Sequence, residues 1–163
     1  MYEHITSISW AAYYHLKNIH CFKELFTQES LVTVVRAFVS SRIDYCNSLF
    51  YGISDYNINR FQRIMNSSAR IMAHTRKYDY ITPILQKLHW LPVRQRIHFK
   101  ILLITYKSIN DMAPEYLCEL DSIKSSSLKL RLSSHIHVLL QVPVPRLKSY
   151  GDCAFSVAAP LVE

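Results

Sequence analysis

Ten lysines and arginines stand between residues 57 and 107: Arg60, Arg63, Arg70, Arg76, Lys77, Lys87, Arg94, Arg96, Lys100 and Lys107. Asp79 is the only acid in that stretch. The chemistry open to such a block is electrostatic, because guanidinium and ammonium groups hold phosphate oxygens. The net charge of the chain is +7, and all of the excess comes from this segment, since the residues on either side of it are each slightly acidic. Charge concentrated in this way is the footprint of a polyanion, nucleic acid first. A solvated basic face, an acidic protein or a membrane surface are the alternatives it leaves open.

Other chemistries lack their residues. Asp44, Asp55, Asp79, Asp111, Asp121 and Asp152 never form adjacent pairs, so the clustered carboxylates that hold two Mg²⁺ ions are missing. Cys21, Cys46, Cys118 and Cys153 form no CxxC pair, and neither His20-Cys21 nor His135-x-His137 has a second ligand pair at zinc spacing. No GxSxG, Walker lysine or HExxH occurs. No catalytic residue, metal site or cofactor is expected, and the cysteines read as reduced, mostly buried thiols. Two glycines, Gly52 and Gly151, are too few for a β-sandwich, a barrel or a glycine-rich nucleotide loop. Half of the residues are hydrophobic, which is enough for a core. No apolar run approaches the ~18 residues of a membrane span, and no apolar signal region opens the chain. The expectation is an intracellular chain with no membrane partner.

The elements that must position the cations read as helices. Ile5, Ile8, Ala12 and Leu16 recur at helical steps in a first helix over 3–20. Thr27 caps a second, running to about residue 50, with Leu31, Val35, Phe38, Cys46 and Leu49 as its stripe and Gly52 as its left-handed stop. Arg42 falls on that stripe and is expected in a structural ion pair. Ser54 caps a third helix over 55–74, which sets Ile58, Phe61, Met65 and Met72 opposite Arg60, Arg63 and Arg70. Thr82-Pro83 starts a short helix that Leu91-Pro92 breaks. A long helix from Pro92 buries Ile97, Ile101, Leu102 and Ile104 and aligns Arg96, Lys100 and Lys107. Trp90 and Pro92 are expected to pin the corner between the two. Residues 121–134 are a serine-rich loop, and 135–163 form a tail with two prolines among valines and leucines. The fold class is therefore mainly α, a helical bundle over 1–120 with a short β-hairpin-like C-terminal tail.

The segment LVTVVRAFVSSRIDYCNSLFYG (31–52) resembles the region after the catalytic palm in reverse transcriptases of non-LTR (LINE-type) retrotransposons, jockey-like elements in particular. The likeness continues through NRFQRIMNSSARIM (59–72), TRKYDYITPILQKLHWLPVRQRIHFKILLITYKSIN (75–110) and VPVPRLKSYGDCAFSVAAP (142–160). It implies a helical thumb and connecting helices over residues 3 to about 110. It also implies a template–primer of RNA and/or DNA as partner, with palm and fingers missing from this chain. The Mg-binding aspartate pair of the family's polymerase does not occur here, so the resemblance implies a non-catalytic fragment, truncated at both ends. A thumb needs basic helices that hold phosphates without reading bases. Charge and helical phase select Arg60, Arg63, Arg70, Arg96, Lys100 and Lys107 for that work, and Arg76, Lys77 and Arg94 are further candidates from the same basic segment. A protein-interaction module, or an inert remnant of a retroelement, is the alternative reading.

Overall fold

The computed structural model describes residues 2–120 and Ala158. The described residues are mainly helical, without strands. The expected serine-rich loop and hairpin-like tail lie outside the described residues, apart from Ala158. The chain divides into two units, Met1–Asn47 with Ile53–Arg96, and Ser48–Gly52 with Ile97–Glu163.

In the first unit, α1 (Tyr2–Phe22) carries Glu3 in its first turn and His20 in its last, which complements the helix dipole. Its buried line is Ile5, Ser9, Ala12, Leu16 and Ile19, at steps of three and four. Ile8 is only half-buried, because Ser9 takes the inner position and satisfies its hydroxyl on the Ile5 carbonyl at 2.8 Å. After a 3-10 turn (Lys23–Leu25), Thr27 caps α2 (Gln28–Val35), its Oγ1 accepting from the Ser30 amide at 3.3 Å.

The second expected helix is shorter than its apolar pattern suggests. A π-helical turn (Arg36–Ser40) follows α2, and α3 (Ser41–Asp44) ends it. In an α-helix, residues four apart drift round the axis by roughly 40° per step. The wider π turn removes part of that drift, so Leu31, Val35, Val39 and Ile43 form the buried line. Phe38, Cys46 and Leu49 are exposed, against expectation. The same shift moves Arg42 off the buried line and leaves it exposed. Cys21 and Cys46 are likewise exposed, so the thiols are not mostly buried.

Helix α4 (Asp55–Met72) packs against α1 and α2 through Phe61, Ile64, Met65, Ala69 and Met72. Ser54 holds the N-cap position, although its side chain bonds the Asn57 amide group at 3.2 Å and leaves the backbone uncapped. Gln28 closes the other end, its Nε2 donating to the Met72 carbonyl at 2.7 Å. Short α5 (Thr82–Lys87) starts on Thr82 itself, with Ile81 as N-cap, and stops well before Pro92. Helix α6 (Val93–Ile109) follows, its first amide, Val93 N, donating to Gln62 Oε1 at 2.8 Å.

In the second unit, Phe50, from the 3-10 turn Asn47–Phe50, is buried, as are Ile97, Ile101 and Ala158. Gly52 takes a positive φ of 75°. Thr105 and Ser108 complete the buried arc of α6, with hydroxyls satisfied by the Ile101 and Leu117 carbonyls, both at 2.9 Å. Ile104 is consequently half-buried and Leu102 exposed, in place of the wider apolar arc expected. Ser108 also ties α6 to α7 (Glu115–Leu120).

Three helices end on left-handed residues that are not glycine: His74 after α4, His89 after α5 and Asp111 after α6. Each closes a Schellman pair of bonds. For α5 these are Trp90 N to the Leu85 carbonyl (2.8 Å) and His89 N to the Gln86 carbonyl (3.0 Å). A left-handed residue with a Cβ costs about 1–2 kcal/mol, and glycine's extra chain entropy offsets part of the gain from replacing it. His89→Gly should therefore stabilise by about 0.5–1 kcal/mol, and a β-branched His89→Val should destabilise, as read by thermal melting.

Candidate nucleic-acid interface

Arg60, Arg63 and Arg70 all leave α4 on the side away from Phe61 and Met65, but the structure uses them differently. Arg60 is half-buried, and its Nη1 donates to Thr6 Oγ1 on α1 at 3.4 Å. Arg63 is exposed. Arg70 is half-buried and donates from Nη2 to the Asp79 carbonyl at 3.3 Å.

The turn after α4 brings further cations to Arg63 and Arg70. His74 N bonds the Ile71 carbonyl at 3.3 Å and Thr75 N the Arg70 carbonyl at 3.1 Å, so the chain reverses within two residues. The Asp79 carboxylate then accepts the Arg76 amide at 2.8 Å. That bond occupies the segment's one acid with backbone. The Arg76 and Lys77 side chains stay exposed, with Lys77 Nζ 5.9 Å from the Tyr78 ring centre. Tyr78 and Tyr80 are 90% and 89% exposed.

Between α1, α4 and this turn lies a cleft of about 520 Å³. Arg63, Arg70 and Lys77 line it together with Lys23 and two histidines, His20 and His74. Tyr13, Asn66, Ser67 and Thr75 contribute a ring, an amide and hydroxyls, and no carboxylate lines the cleft. An acid-free concavity of this kind concentrates positive potential.

Residue-by-residue charge counting missed several of these groups. Lys23 lies outside the basic segment, and only the fold brings it to Arg63. Tyr78 and Tyr80 carried a readable signal, since RKYDY sets two aromatic rings directly after two cations. Tyr13 carried none, being one of many aromatics on a helix.

The remaining cations divide between exposed and engaged. Arg94 is exposed and paired with Asp55, itself exposed. Arg96, expected to be free for phosphate, is engaged within the first unit. Its side chain is 15% exposed, Nη1 sits 2.7 Å from Asp44 Oδ2, and Nε donates to the Leu91 carbonyl at 2.8 Å. Its guanidinium carbon lies 5.3 Å from the centre of the Trp90 ring. The ion pair of the α3 turn thus belongs to Asp44 and Arg96, and Trp90 and Pro92, both half-buried, flank Leu91, whose carbonyl Arg96 holds. In the second unit, Lys100 and Lys107 are exposed.

Among the described residues no three His, Cys, Asp or Glu side chains converge as a metal-binding group, and no helix is long and apolar enough to cross a membrane. No protein-family model matches the chain, and comparisons with curated proteins and with solved structures return no match.

The two neighbouring arginines should separate on mutation. Arg96→Ala strands the half-buried Asp44 carboxylate and strips the Trp90 face, which should cost about 1–3 kcal/mol in a denaturant melt. Arg94→Ala breaks only a surface pair and should change stability by less than about 1 kcal/mol.

Proposed function

We propose that this chain is a non-catalytic, nucleic-acid-gripping portion of a retroelement RNA-directed DNA polymerase, the thumb and connecting helices of a LINE-type enzyme. The observation that carries the reading is the carboxylate-free cleft in which α4 and the turn after it gather Arg63, Arg70 and Lys77, joined by Lys23 from the N-terminal segment, with Arg76 exposed on the same turn. Their common requirement is a phosphate backbone. Contacts to phosphate fix position without reading sequence, which suits a part that must hold any template–primer. Among the described residues of the second unit, Lys100 and Lys107 are exposed cations. The strings SRIDYCNSL, LHWLPVRQRI and RLKSYGD support the retroelement assignment. The polymerase's Mg-holding aspartates would belong to a palm outside this chain.

A second reading, a protein-docking module, draws on α1. Trp10, 72% exposed, and Tyr14, one turn later, present aromatic surface to solvent. Within the first reading that surface is where the missing palm would rest.

Fluorescence anisotropy on an RNA–DNA primer–template tests the proposal. With about six cations on phosphates, log K should fall against log salt with a slope near −5, about a thousandfold between roughly 50 and 200 mM salt. Arg63→Glu with Lys77→Glu should reduce both the affinity and the slope. A flat salt dependence in a folded sample would overturn the reading and favour the protein-docking one.

A further inference from the structure

The cleft beside Arg63 is concave, whereas a duplex presents its phosphates along a broad convex surface. Its volume of about 520 Å³ lies in the range of clefts that enclose one small ligand, roughly 300–1,000 Å³. Its lining joins cations to an aromatic ring, since Tyr13, a partly exposed side chain on α1, shares it with Arg63, Lys23 and Lys77. Two of its residues also hold a buried polar atom with no partner among the described residues, Arg70 Nε and Thr75 Oγ1. Such an atom carries an uncompensated desolvation cost, which a phosphate oxygen entering beside it would relieve after a small side-chain rotation.

Resting on the nucleic-acid reading above, we infer that this cleft receives one unpaired nucleotide of a single strand. Its phosphate lies among Arg63, Arg70, Lys23 and Lys77, beside the Thr75 hydroxyl, and its base stacks on the Tyr13 ring. Cations along a backbone and an aromatic platform for a base are the two parts that single-strand binding requires, and stacking tolerates any base. The site would select a frayed or overhanging strand over blunt duplex, which the exposed cations elsewhere on the chain do not.

The test compares a blunt labelled hairpin with the same hairpin carrying a short oligo-dT tail, both read by anisotropy at fixed salt. The tail should tighten binding about tenfold. Tyr13→Ala should abolish that tail-to-blunt ratio and Tyr13→Phe should keep it, while Lys77→Ala should reduce it. Both Tyr13 and Lys77 are exposed, so neither variant removes core packing. A tail that adds no affinity, or a ratio that survives Tyr13→Ala, would overturn the inference while leaving the duplex grip intact. Failure of both hairpins to bind would overturn the nucleic-acid reading itself, and this inference with it.

Discussion

Arg70 holds the turn that follows it from both of its ends. Its carbonyl accepts the Thr75 amide and its guanidinium donates to the Asp79 carbonyl. Between those two anchors the chain reverses through His74, and Asp79 fastens the Arg76 amide. The segment from Ala73 to Asp79 is thereby folded back onto the helix it left. The cationic cleft depends on this closure, because Lys77 and Thr75 reach Arg63 only when the turn is shut. The closure depends in turn on α4 stopping where it does, which Gln28 reinforces by occupying the Met72 carbonyl.

The one acid in the basic segment has a structural part. Asp79 is exposed and forms no ion pair among the described residues; its carboxylate accepts the Arg76 amide and so builds the turn that displays Arg76 and Lys77. The opposite fate meets Arg96, whose charge is spent on Asp44, the Leu91 carbonyl and the Trp90 face. Charge in the sequence and charge available to a ligand are therefore different quantities, and the fold sets the difference residue by residue.

Helix α4 was legible in the sequence because its apolar positions repeat at the α period and its cations sit opposite them. The start of α2 was legible for a similar local reason, the Thr27 cap. The stretch from Arg36 to Phe50 was not. Its buried line runs at four-residue steps through a π turn, and a strict α wheel assigns Phe38 to the interior in place of Val39. Helix ends at His74, His89 and Asp111 were equally obscure, since glycine is the usual signal for a left-handed stop and none stands there. The cleft could not be read at all from segment charge, because Lys23 and Tyr13 come from a part of the chain whose net charge is slightly negative.

The central claim is that the α4 turn and its cleft are the surface that meets nucleic acid. Amide chemical-shift mapping of the isotopically labelled chain during titration with a primer–template addresses it directly. The account predicts that the largest shifts fall on Arg63, Arg70 and the residues from His74 to Tyr80, with smaller ones at Lys100 and Lys107. Shifts confined to the Trp10 and Tyr14 face of α1, or no shifts in a folded sample, would contradict it.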